Sequence, residues 1–429
     1  MTDQTTSGNP PPAASSSLPP QPPLLIPNLP DDVALQCIAR VPRSYHRSLL
    51  LVSKLWRSTI RSPHFFAIRS LIRSTQQSLY LNIRHNSSFK WYYHPNPNPT
   101  DKGILSPLPP IPIQPVGSAY AVLGHKIYLI GGSINDIPST SVWVLDCRVN
   151  RWEIGPKMRV GREFAAAATV NEKIYVMGGC LVDNRTRSIN WAEVYDPAVG
   201  VWCPLPSSSV EAKDKWMHAN AVIDGKIYAM ADRGGVVYDV AEMEWGRVPK
   251  RLDMGWRGRA AVVDGVLYCY DYLGKIRGYD VEKDVWKELR GVEKGLPKFL
   301  CGATMVDLDG RLCVVWECKE GGGGEKAIMC AEIEVYTNED GGLSGSILWV
   351  DVVLSVPDLE LLPLQNNVNV YGYGPYLQGQ RNKIIPGIGK KMATSTKGVG
   401  STDDDRKAAS LEGLSAVKLM VKGSSSERG

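Results

Sequence analysis

One string of residues recurs along this chain and limits what it can fold into more than any other feature. Leu145-Asp146 is followed by Trp152, Tyr195-Asp196 by Trp202, Tyr238-Asp239 by Trp245 and Tyr279-Asp280 by Trp286, with the tryptophan six residues after the aspartate each time. Upstream of each stands an apolar residue followed by tyrosine: Ile127-Tyr128, Ile174-Tyr175, Ile227-Tyr228 and Leu267-Tyr268, with Leu312-Cys313 as a weaker fifth. Each pair is preceded by a turn dipeptide, namely Gly124-His125, Asn171-Glu172, Asp224-Gly225, Asp264-Gly265 and Asp309-Gly310. Counted from residues 128, 175, 228, 268 and 313, the periods are 47, 53, 40 and 45 residues.

Around the shared strings the apolar spacing has period two, so a repeat of this length accommodates one four-stranded antiparallel unit. Such a unit cannot bury both of its faces alone. Copies stacked around an axis bury them, and the ring has to close. The expected fold is therefore mainly β: a propeller of five or six blades over residues 79–360. The recurrent tryptophan supplies apolar area between blades and needs a partner for its indole N–H, and the aspartate after each tyrosine suits a turn between the outer strands. Two further strands, 79–83 and 89–93, stand ahead of the first repeat, where they could complete the last blade and lock the ring.

Residues 24–75 read differently. Pro30, Asp31 and Asp32 suit a helix start, where acidic side chains meet the positive end of the helix dipole. Val33, Ala34, Cys37 and Ile38 follow at helical spacing, Pro42 stops that helix, and Ser62-Pro63 reads as an N-cap with proline in the first turn. The result is a small all-α module of three or four helices, marginal alone unless a partner covers part of its apolar surface. Residues 1–23 are Pro/Ser-rich and are expected to be a disordered leader; 361–389 is an irregular segment, and 390–429 is expected to be a disordered tail.

Composition excludes several function classes. The formal charge, 49 − 44 = +5 over 429 residues, does not point to nucleic acid. No signal-peptide pattern opens the chain and no run reaches the roughly 20 apolar residues of a membrane span, so neither a nucleic-acid nor a membrane partner is expected. The nine cysteines include no CxxC pair and read as buried thiols in a reducing, intracellular setting, nucleus or cytoplasm. With six histidines, ungrouped, and no nucleophile elbow or HExxH, no catalytic residue, metal or cofactor is expected.

The residues resemble two known families. Ile26-Pro27-Asn28-Leu29-Pro30-Asp31-Asp32-Val33, then Ile38-Ala39-Arg40-Val41-Pro42, then Leu51-Val52-Ser53-Lys54-Leu55-Trp56-Arg57, resembles an F-box. The repeats resemble kelch motifs: Gly131-Gly132 and Gly178-Gly179 follow the Ile-Tyr strand, although Ala231-Asp232, Tyr270-Asp271 and Trp316-Glu317 replace the double glycine later. Over roughly residues 24–355 the combination is similar to the plant F-box/kelch-repeat proteins. The resemblance implies a substrate-recognition subunit of a Skp-cullin-F-box ubiquitin ligase, non-catalytic itself, that docks on a Skp-type adaptor and through it a cullin while the propeller holds a target protein. It implies adaptor binding by Leu29, Pro30, Asp31, Leu35, Ile38, Val41, Pro42, Leu51, Val52 and Trp56. The alternatives are a propeller enzyme, oxidase or hydrolase, and a non-ligase kelch scaffold.

The segments joining successive blades should meet at one end of the ring. They carry Arg159, Arg162, Phe164, Lys215, Trp216, Arg251, Trp256, Arg257, Arg259 and Phe299, cations beside aromatics, which suits recognition of an acidic target.

Overall fold

The computed structural model describes residues 24–85, 88–94, 105–180, 191–206, 217–231, 234–271, 273–298, 300, 302–319, 326–356 and 414–419. The chain divides into two units, residues 1–41 with 45–74, and residues 42–44 with 75–429.

The first unit is helical: α1 (Asp31–Ala39), α2 (His46–Leu49), α3 (Lys54–Arg61) and α4 (Pro63–Leu71). Capping explains the boundaries. The Ser53 hydroxyl accepts from the Trp56 N–H at 3.0 Å to start α3, and the Ser62 hydroxyl accepts from the Phe65 N–H at 3.2 Å ahead of Pro63 to start α4. Leu35, Ile38, Ala39, Ile60 and Phe65 form the core, so α1 turns Ala34 and Leu35 inward and leaves Val33 and Cys37 exposed. Arg69 is buried as well. Its guanidinium donates to the carbonyls of Ala39 (2.6 Å), Val41 (2.7 Å) and Ser74 (2.6 Å), which satisfies acceptors left open at the C-terminal end of α1 and beyond that of α4.

The second unit is a ring of six four-stranded blades. From the axis outward, the first is built from Ala119–Leu123, Lys126–Ile130, Val142–Asp146 and Arg151–Ile154, and the second from Ala166–Val170, Lys173–Met177, Ala192–Asp196 and Val201–Pro204. The third comprises Met217–Ile223, Lys226–Ala231, Gly235–Asp239 and Glu244–Arg247; the fourth Ala261–Val263, Val266–Tyr270, Ile276–Asp280 and Val285–Arg290. The fifth comprises Thr304–Leu308, Arg311–Lys319, Lys326–Thr337 and Leu343–Val356. The sixth takes its innermost strand, Leu414–Leu419, from the far end of the chain, and its other three, Ser78–His85, Ser88–His94 and Ser106–Pro107, from ahead of the first blade. Each innermost strand touches the next, and Leu414–Leu419 touches both Thr304–Leu308 and Ala119–Leu123, so the circle is complete.

The described strands thus make six blades, and a strand stands within the segment expected to be a tail. Residues 390–429 contain the closing strand, which pairs antiparallel with Ser78–His85 from Ser78↔Leu419 to Ile83↔Leu414. The irregular segment 361–389 lies outside the described residues.

Six apolar clusters fill the six interfaces between blades. The four tryptophans of the repeat all stand on outermost strands. Their indole N–H groups donate to Pro109 O (Trp152, 3.0 Å), Pro156 O (Trp202, 2.9 Å), Pro206 O (Trp245, 2.9 Å) and Arg251 O (Trp286, 2.9 Å). Each acceptor lies on the connection arriving from the preceding blade, so the indole staples its own blade to that connection. The aspartates build the turns between the outer strands. Asp146, Asp196, Asp239 and Asp280 accept from the N–H groups of Arg148, Ala198, Ala241 and Lys283 at 2.9–3.1 Å. Lys173 and Lys226 on the second strands add ion pairs to Asp196 (2.9 Å) and Asp239 (3.0 Å). The Lys173 ammonium hydrogen-bonded to Asp196 holds that carboxyl below the usual carboxylate range.

Candidate functional site

On the helical unit, the residues expected at the adaptor surface separate into two groups. Leu51 (78% exposed) and Val52 (59%) stand side by side in the turn before α3, and Pro30 and Asp31 are exposed at the start of α1. Asp31 also accepts from the Leu25 N–H at 2.9 Å. Leu35 and Ile38 face inward and pack the core instead, because the helical stripe that carries them is the one that meets α4. Leu29 and Val41 are half-buried. Trp56 is half-buried too, its indole donating to Leu25 O at 2.6 Å, which ties the segment before α1 to α3. Pro42, which groups with the propeller unit, is exposed.

In the propeller, the antiparallel order of each blade fixes which loops share an end. The connections between blades and the loops between second and third strands lie at one end of the ring; the remaining hairpin turns lie at the other. Backbone contacts bear this out: Arg162 bridges Ser139 and Cys180, and Val116 bridges Ser133. The double glycines sit where connections pass closest. A Cβ on Gly131 would lie 2.4 Å from Arg162 O and one on Gly179 2.3 Å from Glu163 O, so both serve close backbone approach.

The structure redistributes the cationic and aromatic candidates. Arg162 is fully buried: it donates to Gly178 O and Trp191 O, both at 2.7 Å, and pairs with the equally buried Glu193 at 2.8 Å, whose other carboxylate oxygen accepts from the Arg159 N–H. It locks a connection to the second blade and is not a surface for a target. Trp256 is fully buried, its indole N–H on Gly258 O at 3.1 Å, because the short helix Lys250–Gly255 packs it between the third and fourth blades. Arg251 turns away to Asp284, in the outer-strand turn that closes at the other end of the ring. Arg257 donates to Trp256 O (2.8 Å) and Met254 O (2.9 Å). Lys215, Trp216 and Phe299 lie outside the described residues.

Arg159, Phe164 and Arg259 remain exposed at the connection end. Phe164 has a left-handed backbone (φ 51°); its N–H donates to Gly117 O, and its carbonyl accepts from the Met217 N–H, linking three innermost strands. Its ring covers Gly117 so closely that a Cβ there would lie 2.8 Å away. This end is not uniformly basic. Burial pushes the Glu163 carboxyl up, only partly offset by a hydrogen bond with Ser133, and the negative charge of Asp136 adds to the rise.

The eight described cysteines are free thiols, and Cys37, Cys203 and Cys318 are exposed, so burial is not general as expected. Among the described residues, no three His, Cys, Asp or Glu side chains group as a metal site. No described helix is long and apolar enough to cross a membrane.

A helical module with exposed apolar residues, followed by a six-bladed ring in which four blades carry an Asp…Trp string, has the architecture of an F-box joined to a kelch propeller, and the family models agree. The F-box domain model matches residues 26–68, and the model described as FKB95, Kelch-repeats domain matches residues 84–354. Among curated proteins, F-box/kelch-repeat protein At4g39550 of Arabidopsis thaliana is 36% identical over 360 residues, 77% of this chain and 91% of its own length. F-box/kelch-repeat protein At4g39590 of the same plant is 34% identical, over 78% of this chain and 88% of its own. A solved structure titled "Structure of YjhT" superposes on 63% of this chain and 95% of its own, with a TM-score of 0.46 and 12% identity. This chain belongs to the F-box/kelch-repeat family.

Proposed function

We propose that this chain is the substrate receptor of a Skp-cullin-F-box ubiquitin ligase. Its helical module docks on a Skp-type adaptor and through it a cullin, and the connection end of the propeller holds a protein target. The observation that carries this reading is the pairing, on one chain, of an F-box unit that leaves Leu51 and Val52 largely exposed with a closed ring presenting a loop-rich end. Adjacent exposed apolar side chains on so small a unit suit burial against a partner. The chain contributes proximity, not bond chemistry: tethering raises the target's effective concentration near the ligase's transfer machinery, to about the millimolar range for well-matched linkages.

The test is capture of a Skp-type adaptor by the full chain, wild type against Leu51→Asp/Val52→Asp. Both side chains are exposed, so the variant should keep its circular dichroism spectrum and melting curve while adaptor capture falls by at least about tenfold. Equal capture by both, or none by the wild type, removes the docking end from the proposal.

A further inference from the structure

The first blade carries a device that its fold does not require. Residues 131–141 join its second strand to its third, a gap that the third blade spans with 232–234 alone. Within them a hairpin forms, Ser133–Ile134 against Ile137–Pro138, with Asn135 and Asp136 in a left-handed turn (φ 51° and 61°). Among the described residues no other blade has one.

Connections hold this hairpin from two sides. The Val116 N–H, on the connection into the first blade, donates to Ser133 O at 3.0 Å, and the Ser133 N–H donates back to Val116 O at 2.7 Å. On the connection into the second blade, Arg162 O accepts from the Gly132 N–H at 2.7 Å, and the Phe164 N–H donates to Gly117 O at 2.6 Å. Residues 116–117, 132–138 and 162–164 therefore make one continuous rim at the connection end. Its apolar side chains Val116 (49% exposed), Ile137 (69%) and Phe164 (38%) are left to solvent. Large apolar groups gathered on a rim that blade packing does not use suit burial against a partner.

The charges of this rim are carboxylates. Asp136 is exposed at the hairpin tip, and Glu163 is half-buried between Arg162 and Phe164. The Asp136 charge reaches the Glu163 carboxyl and, after burial, helps to raise its pKa. Two carboxylates brought together at a partly desolvated place favour a cation that both can bind. Lys157 and Arg159 lie farther out on the same connection, on either side of Met158, whose N–H donates to Thr140 O at 2.9 Å.

We infer that this rim seats a segment of the target in which one lysine or arginine stands among bulky apolar residues: the cation goes to Glu163 and Asp136, and its neighbours cover Val116, Ile137 and Phe164. The inference rests on the reading of the connection end as the target-holding one. Apolar contact supplies the affinity, and the charge pair selects the partner and its register. A segment with an acidic centre sets like charges together and is rejected.

The experiment uses the purified full chain and capped decapeptides with Lys, Arg, Gln or Glu fixed at the centre and random flanks. Selection should enrich lysine and arginine centres with apolar neighbours. By fluorescence anisotropy the best lysine peptide should bind roughly tenfold tighter than its glutamine counterpart, and Asp136→Asn/Glu163→Gln should erase that preference. Both changes keep side-chain size, and asparagine tolerates the left-handed turn at 136, so the melting curve should not move. Ile137→Ala, at an exposed tip, should weaken the same peptide. Failure to enrich lysine and arginine, or a lysine preference unchanged in the double variant, overturns the inference. Hydrogen exchange with the peptide bound separates it from the reading beneath it. Protection over 116–117, 132–138 and 162–164 supports the inference; protection at other connection-end loops overturns it and leaves the target-holding end in place. Protection confined to the opposite hairpin turns overturns both.

Discussion

Arg162 shows how a side chain chosen for its charge ends up as architecture. Its position on a connection, against the ends of the second blade's second and third strands, gives it two carbonyls and the Glu193 carboxylate as acceptors, all out of water. Removing one partner of such a pair strands the other. Arg162→Met should destabilise the propeller by about 3 to 5 kcal/mol, and Arg162→Met/Glu193→Leu should recover part of that loss. Urea unfolding of the three proteins checks this; a double variant no more stable than the single one would place the cost in packing. Nothing in the sequence distinguishes Arg162 from Arg159, three residues away, because burial of a loop residue depends on which carbonyls neighbouring connections bring to it. Arg69 was illegible for the same reason: it reads as a polar residue on a helix, yet it holds three carbonyls.

At the scale of elements, the sequence was most legible where a local rule acts alone. Ser62-Pro63 announces α4, the Asp-Gly dipeptides announce hairpins, and each Tyr-Asp announces the turn that follows it. The tryptophans were legible as interface residues with one polar need, though not their acceptors, which come from an adjoining blade's connection. Trp202 is buried, packs on Tyr195 with ring centres 5.3 Å apart, and donates to Pro156 O. Trp202→Phe keeps much of the apolar area and deletes the donor, leaving that carbonyl without it. A loss of about 1 to 3 kcal/mol is expected, and faster proteolysis in the connection over residues 155–165 should accompany it. An unchanged unfolding midpoint would mean that the staple contributes area only. The candidates of the target face were legible as connection residues but not as exposed or buried ones: Arg162 and Trp256 are buried whereas Arg159 and Phe164 are exposed, and composition does not say which.

For the whole molecule, the period of the repeat led to the propeller but left its number of blades open, because the sixth blade has no repeat of its own. Its three outer strands carry no Tyr-Asp…Trp string, and its innermost strand, Leu414–Leu419, is a short apolar alternation amid polar residues. A chain ending at residue 356 lacks that strand, and the inner edge of Ser78–His85 is left bare. Its melting temperature should fall by at least about 5 °C, with a larger hydrodynamic radius, while adaptor capture by the helical unit persists. A truncated chain that melts like the full one would show that the five other interfaces hold the ring without its sixth inner strand.

Joining the two ends of the propeller in one blade also sets an order of events during synthesis. Ser78–His85 leaves the ribosome early, but the strand that covers its inner edge is made only after residues 86–413. At about 5 to 20 residues per second, that is a wait on the order of 20 to 60 s. Throughout it the nascent protein carries a bare strand edge, the kind of surface that pairs with other chains. The cell therefore has to shelter the first strands of this propeller until the last one arrives.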